Sequence, residues 1–202
     1  MTKLILENQA RKSLTPEEEA IIKAHAFAQI LSASTNNAGF AELVYCPLQL
    51  LENSNLLGHL PNNNPLIKAV TEAHKVKAVF TGPHGYISPR WHSEQMVPTW
   101  NYSTVSLTCN ITFIENSDDK LQAMKKISHY FDPQWNFAEF NHQDNAKNVQ
   151  QMLSAITVFT LEILDVQSKF KLSQNRSIEC RTAFQKNLQL QGNIDLTNMQ
   201  LM

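Results

Sequence analysis

The sequence predicts an α+β fold built on a largely antiparallel sheet. Helical patterns and groups of consecutive strand patterns follow one another along the chain, rather than alternating one for one as in a parallel sheet. Asn- and Gly-containing turns between the early apolar runs favour hairpins between neighbouring strands. These two observations together favour antiparallel pairing.

The first element is a short helix over about residues 16–25. Thr15 is a suitable N-cap, Pro16 fits the first helical position, and Glu18 completes a capping box. The glutamates of the first turn also favour the positive end of the helix dipole. Their position therefore indicates a helix start and does not nominate a catalytic carboxylate pair.

Strands and one further helix follow. Apolar, partly alternating runs at 26–34, 39–51 and 53–60 predict two or three consecutive antiparallel strands. An Asn-rich cap leads into a short helix within 62–73, and alternation at 75–82 predicts another strand.

Residues 81–102 are predicted to form a long irregular loop. This stretch holds three prolines, two glycines, two tryptophans, two tyrosines and two histidines. The rings of Tyr86, Trp91, Trp100 and Tyr102 would make a rigid wall that stacks on a flat heteroaromatic ligand. The alternative that stays open is that these rings simply cover one end of the protein.

The second half of the chain is predicted as strand, amphipathic helix, strand and closing helix. The segments are a strand at 103–115, a helix at 118–131, a turn of helix passing into a strand over 150–167, and a helix at 178–189. Residues 132–150 and the tail from 192 receive no clear assignment. We expect one domain over 1–202 with a helical C-terminal extension at about 178–202.

A basic, polar segment covers residues 169–186. Five cations accompany one acidic residue there, and they are Lys169, Lys171, Arg176, Arg181 and Lys186. Small neutral donors lie between them, namely Ser173, Gln174, Asn175 and Ser177. Cations mixed with such donors suit a phosphate monoester. A solvated basic surface is the alternative.

The stretch "GHLPNNNPL" is a third candidate. Gly58 permits close backbone approach, His59 is a polar group near a strand end, and Asn64 begins a helix N-terminus that favours anions. The alternative is a capped turn with a hydrogen-bonded structural histidine.

Composition excludes several classes of function. The net charge of −1 argues against a strongly basic nucleic-acid binder. The sequence has no G-x-S-x-G, P-loop or H-E-x-x-H motif, and it nominates neither a catalytic residue nor a metal site. The three cysteines are far apart, so we expect buried thiols in a reducing cytoplasm. Neither a signal peptide nor a membrane span is expected.

Several motifs resemble those of a known family. The stretches "AVFTGPHGYISPRW", "VPTWNY" and "KFKLSQN" occur in one order and closely resemble the PaiB family of FMN-binding negative transcriptional regulators. The resemblance covers about residues 20–190. It implies a pyridoxamine-phosphate-oxidase-like fold, a mainly antiparallel FMN-binding split β-barrel with peripheral helices. It also implies a homodimer with the flavin between subunits.

The resemblance also implies which residues contact FMN or a related phosphorylated planar ligand. The implied set comprises His59, Asn64, Tyr86, Ser88, Arg90, Trp91, Trp100, Asn101, Tyr102, Lys169, Lys171, Ser173, Gln174 and Asn175. Two departures stand out: Pro61 and its following asparagines replace a cationic position, and an early-strand histidine is missing from "AELVYCPLQL". Which group of residues takes the phosphate stays open.

Three functions are compatible with the sequence. The first is an FMN-binding module with a regulatory role, and the second is a flavin-dependent oxidoreductase acting on a small substrate. The third is a cofactor-free interaction protein on the same scaffold. Direct DNA contact has the weakest support, because the basic segment is short and no helix-turn-helix stands out.

Overall fold

A computed structural model describes residues 10–35, 39–92, 95–135 and 146–199. The helices of these segments are α1 (Pro16–Ala24), α2 (Pro65–Ala73), α3 (Ser117–Phe131), α4 (Ala146–Ser154), α5 (Ile178–Leu190) and α6 (Ile194–Met199). The strands are β1 (Phe27–Thr35), β2 (Ala41–Pro47), β3 (Gln49–Leu50), β4 (Leu56–Pro61), β5 (Lys75–Ile87), β6 (Thr99–Ile114) and β7 (Ile156–Lys171). A single 3₁₀ turn, Pro89–Trp91, follows β5. The predicted α+β class is confirmed.

The seven strands form one sheet in the order β2-β1-β5-β6-β7-β4-β3, and every pairing is antiparallel. Strands β2 and β4 lie at or near opposite ends of this order, and they contact each other. The thiol of Cys46 donates to the carbonyl of His59 at 3.3 Å. A Cβ on Gly58 would lie 2.6 Å from a methyl of Leu48, so glycine permits this approach. The sheet therefore curls into a split barrel.

The barrel interior is the main core. Alternation along the strands sends one set of side chains inward, as the burial pattern of β6 shows. The largest fully buried members include Ile30, Phe80, Leu107, Phe159 and Leu161. Helices α1 and α2 each add side chains to this core. Helix α3 packs outside the barrel, where Ala123 and Ile127 contact Leu57 and Val158.

The start of α1 is fastened to β7 by a buried carboxylate. Glu18 completes the predicted capping box with Thr15 and is only 2% exposed. It accepts hydrogen bonds from Arg11 and from the hydroxyl of Ser168, the latter at 2.6 Å. The glutamates of the first turn are helix-start residues, as the sequence indicated.

The prediction of a long irregular loop over 81–102 is wrong. Strand β5 continues to Ile87 and β6 begins at Thr99, so both ends of this stretch belong to a hairpin extension of the sheet. The prolines that suggested a loop lie outside the regular ladder. Pro83 lies at an irregularity of register between Thr81 and His84, where its missing N–H costs little.

The C-terminal helices build a second core against this extension. The predicted closing helix is confirmed as α5, and α6 lies in the tail that received no assignment. Buried side chains of both helices pack under the sheet, together with Ile87 and Leu172. A Cβ on Gly85 would lie 3.0 Å from Leu196 of α6, so glycine lets the helix approach the strand closely. None of the helices described is long and apolar enough to span a membrane.

Candidate functional site

The hairpin extension presents two different faces. The inner face is covered by α5 and α6, whereas the outer face is exposed. Across β5, β6 and β7 the register places Tyr86 opposite Trp100, and Tyr102 opposite both His84 and Lys171. We call the outward set the aromatic–lysine face, and its members are His84, Tyr86, Trp100, Tyr102, Lys169 and Lys171.

Aromatic rings form the centre of this face. Trp100 remains 49% exposed and Tyr86 45% exposed, which is unusual for rings of this size in a folded chain. The ring centroids of His84 and Trp100 are 6.3 Å apart with planes 25° from parallel, and those of Tyr86 and Trp100 are 6.4 Å apart. Exposed, mutually supported rings can stack on a planar ligand.

Two lysines on β7 complete the face. Lys171 lies opposite Tyr102, and Lys169 lies opposite Thr104 on the same side of the sheet. The ammonium of Lys171 donates to the hydroxyl of Thr99 at 2.5 Å, so its position is fixed beside the start of β6. Both lysines are exposed. The face therefore joins planar rings to two cations that can engage an anionic group.

Asn101 and Ser173 lie behind this face, in the interior. The hydroxyl of Ser173 donates to the side-chain carbonyl of Asn101 at 3.0 Å, and both residues are buried. The Nδ2 group of Asn101 is buried without a hydrogen-bond partner. Ser173 has φ of 62°, a conformation that costs energy for a residue other than glycine. This pair ties the start of β6 to the turn after β7.

The residues after β5 form a small, self-capped turn. The buried hydroxyl of Ser88 accepts a hydrogen bond from the backbone N–H of Arg90 at 3.2 Å. The ring of Trp91 packs against Phe184 of α5, with centroids 6.4 Å apart. Ser88 and Trp91 therefore belong to the support of the face, and Arg90 between them is exposed.

The turn after β7 satisfies its own backbone. The Gln174 side chain accepts from the N–H of Leu172 at 2.9 Å and donates to the carbonyl of Phe170 at 2.8 Å. Asn175 is exposed at the tip of the same turn. Gln174 therefore stabilises this turn. The two lysines of β7 project from the outer face of the sheet.

His59 and Asn64 lie elsewhere on the barrel. His59 is opposite Val158, which is in turn opposite Ile114 at the far end of β6 from Trp100. Burial lowers the pKa of His59. The Asn64 side chain accepts from the N–H of Leu66 at 3.0 Å as the N-cap of α2. Within one chain, neither residue joins the aromatic–lysine face, and their role toward a ligand stays a prediction.

The basic segment does not form one surface. Lys169 and Lys171 project from the outer face of β7, whereas Arg181 lines a cavity on the inner side of the sheet. Since Arg181 lies on the other side of the sheet from the two lysines, these three cations do not form one continuous basic patch of the kind that a nucleic-acid footprint requires.

Sequence reasoning missed two members of this region. His84 stacks on Trp100, and Thr99 holds Lys171. A period of two would have revealed His84, because His84 and Tyr86 alternate with inward-pointing Gly85. Reading the stretch as a loop hid that period. No group of three metal-ligating side chains occurs within the described segments.

Comparison with known proteins decides the family. A family model described as "Putative FMN-binding domain" matches residues 5–165. The chain belongs to this family. The resemblance to PaiB found in the sequence motifs agrees with this assignment and is confirmed by a curated relative.

Two curated relatives match part of the chain. Protease synthase and sporulation protein PAI 2 of Bacillus subtilis is 29% identical over 130 residues, which cover 60% of this chain and 58% of the relative. Uncharacterized protein AN0679 of Emericella nidulans is 27% identical over 160 residues, covering 61% and 62% respectively. The chain therefore spans about three-fifths of the length of these relatives.

Solved structures support the fold. The flavocytochrome Anf3 from Azotobacter vinelandii aligns with a TM-score of 0.59 at 16% identity, covering 87% of this chain and 80% of that one. The FAD and heme binding protein from Mycobacterium smegmatis aligns with a TM-score of 0.60 at 14% identity, covering 86% and 80%. At these identities the likeness establishes the fold, and the ligand must be argued from the site.

Proposed function

We propose that this chain binds FMN at the aromatic–lysine face and acts as a PaiB-type regulator. The observation that carries the proposal is the exposure of Trp100 and Tyr86 on the same face as Lys169 and Lys171. FMN is a planar ring system that carries a phosphate. Its two parts require a stacking surface and a cationic group, and this face offers both.

The residues present fit such a ligand in three respects. The rings hold one another at centroid distances near 6.3 Å, which pre-organises the stacking surface. Lys171 is fixed by Thr99, so less side-chain entropy remains to be lost on binding. The buried Asn101–Ser173 pair supports the strand that carries Trp100. When bound, FMN would supply redox chemistry, while these residues hold and orient it.

A homodimer belongs to the same proposal. The outward side of β1 and β2 exposes three large apolar side chains: Phe27 at 65%, Leu43 at 47% and Tyr45 at 55%. Register connects them through Gln29 and Val79 to the strands of the aromatic–lysine face, so they lie on one side of the sheet. A contiguous apolar patch of this kind marks a protein interface. A second copy on this surface would bring a partner close to the flavin.

The deciding experiment is a direct titration of the purified full chain with FMN. Binding at micromolar concentrations is expected to quench flavin fluorescence and give a calorimetric signal, with one FMN per chain. Riboflavin, which lacks the phosphate, should bind at least tenfold more weakly, because a charge-assisted hydrogen bond contributes about 1.5–3 kcal/mol. If tens of micromolar FMN produce neither signal, the proposal fails.

The regulatory role is supported by the PaiB resemblance and by the name of the Bacillus subtilis relative. The split arrangement of the cations favours an indirect effect on transcription over direct DNA contact. A gel shift at low salt, with and without FMN, should therefore show no retention of DNA. Oxidation of NADH by the FMN-loaded protein should not exceed that by free FMN. A rate far above this background would instead support an oxidoreductase.

A further inference from the structure

A large cavity lies on the opposite side of the sheet from the aromatic–lysine face. Its volume is about 690 Å³, which is within the range of small-molecule sites. Helix α1 forms one wall, helices α5 and α6 form another, and the end of β7 forms the floor. The apolar lining comes from Ile21 on the α1 wall and from Phe170 and Leu172 on the floor.

The placement of the cavity separates it from the proposed flavin face. Phe170 lies opposite Ser103 in the register of β6 and β7. Gly82 lies close to Ser103 and to Ile21, because a Cβ added to Gly82 would be 2.3 Å from the Ser103 hydroxyl and 2.8 Å from Ile21. These residues point inward, whereas Lys169 and Lys171 alternate with Phe170 and point outward. One ligand cannot occupy both sides of the same strands.

Charged groups line the cavity on three separate helices. Glu17 is on α1, Arg181 on α5 and Asp195 on α6. Hydrogen bonds from its own backbone N–H and from the Thr15 hydroxyl lower the pKa of Glu17, so this side chain is a carboxylate at neutral pH. One cation and two anions around an apolar floor complement a ligand that carries both signs of charge.

We infer that this cavity binds a small zwitterion with an apolar side group, of the class of a hydrophobic α-amino acid. The ligand carboxylate faces Arg181, its ammonium group faces Asp195 and Glu17, and its apolar group lies on Ile21, Phe170 and Leu172. A purely anionic ligand would meet two carboxylates, and a purely cationic ligand would meet the guanidinium. The zwitterion alone pairs with every charge named here.

The test uses the full chain and three small molecules that share a phenyl group on a short alkyl chain. L-Phenylalanine carries both charges, phenethylamine lacks the carboxylate, and 3-phenylpropionate lacks the ammonium group. Calorimetry and saturation-transfer NMR should show L-phenylalanine binding at least tenfold more tightly than either analogue. Equal binding of all three, a preference for one analogue, or no binding up to about 10 mM overturns the inference.

Variants locate the binding event. Ala20→Phe places a ring in the cavity and should abolish L-phenylalanine binding, whereas Lys23→Phe places the same ring on α1 outside the lining and should leave it unchanged. Asp195→Asn should weaken L-phenylalanine about two- to fivefold while sparing 3-phenylpropionate. Arg181→Gln should weaken L-phenylalanine while sparing phenethylamine. If Ala20→Phe binds L-phenylalanine normally in a folded state, the cavity is not the site.

The flavin experiment is independent of this one. L-Phenylalanine should bind equally well with and without saturating FMN, and equally well to a Trp100→Ala variant. Competition between FMN and L-phenylalanine would overturn the inference, because it would mean that both ligands share one site. If FMN does not bind but L-phenylalanine does, only the flavin proposal is overturned.

Discussion

Ser173 donates its hydroxyl to the side-chain carbonyl of Asn101 across 72 residues of sequence, and both residues are buried. Asn101 follows Trp100 on β6, and Ser173 comes two residues after Lys171. The hydrogen bond therefore connects, on the inner side of the sheet, the start of β6 and the turn after β7. The outer side of these two strands carries Trp100 and Lys171. A buried polar pair of this kind fixes geometry because leaving either partner unpaired is costly.

Ser173→Ala is expected to destabilise the protein by about 1–3 kcal/mol, because it leaves the buried Asn101 carbonyl unpaired. Ser173→Gly also removes the hydroxyl, but it relieves the φ of 62° and should cost about 1 kcal/mol less. Urea unfolding of the two variants and the wild type measures both differences. Equal stability of all three proteins would show that the pair contributes nothing.

Trp100→Ala is expected to weaken FMN binding about fivefold to a hundredfold, because stacking on an aromatic side chain contributes about 1–3 kcal/mol. The ring is half exposed, so stability should change little. Trp135→Ala removes a comparably exposed ring beside α3 and is the matched control. Fluorescence titration with FMN gives both affinities. Equal losses for the two variants would remove Trp100 from the site.

Lys171→Met is expected to weaken FMN about tenfold to a hundredfold while leaving riboflavin unaffected, because the lost interaction is with the phosphate. The salt dependence of FMN binding should decrease in parallel. Lys68→Met removes one exposed cation from α2 and should leave both ligands unchanged. An equal loss for riboflavin would indicate a steric or folding effect instead.

Local rules explain most of what the sequence predicted correctly. Thr15, Pro16 and Glu18 fixed the start of α1, and period-two alternation found the central strands. The barrel itself could not be derived this way. Its closure depends on Cys46 reaching His59 and on Leu48 packing over Gly58, and no local pattern encodes such contacts.

The candidate site shows the same limit. Prolines and glycines in 81–102 predicted a loop, because each of these residue types disfavours a strand when it is considered without its tertiary contacts. In the protein, Pro83 lies at an irregularity of register and Gly85 receives a helix, so both are compatible with an extended hairpin. Motif resemblance pointed to these segments, but only the register showed that Trp100 faces outward while Asn101 faces inward.

Leu43→Glu is expected to convert a homodimer into a monomer, because it places a charge in the exposed apolar patch of β2. Sedimentation velocity at tens of micromolar should show the 23 kDa species for the variant and twice that mass for the wild type. Ile178→Glu changes an even more exposed apolar residue, on α5, and should leave the dimer intact. A monomeric wild type would end the dimer proposal.

Acid is expected to destabilise the protein through Glu18. Burial alone would raise the pKa of Glu18, but hydrogen bonds from Arg11, Ser168 and the Thr15 N–H, with the charge of Arg11, outweigh it and lower the pKa from 4.5 to about 2. The folded state therefore favours the carboxylate. This contribution is complete above about pH 4.5 and is lost as the pH falls toward 2.

Glu18→Gln tests this directly. The variant should lose up to about 3 kcal/mol of stability at pH 7, and the difference from wild type should shrink as the pH falls from 4.5 to 2. Glu19→Gln is the matched control, because Glu19 pairs with Lys23 on the exposed side of the same helix and should contribute little. Urea unfolding across this pH range measures both. A difference between wild type and Glu18→Gln that does not change with pH would show that Glu18 ionisation does not stabilise the fold.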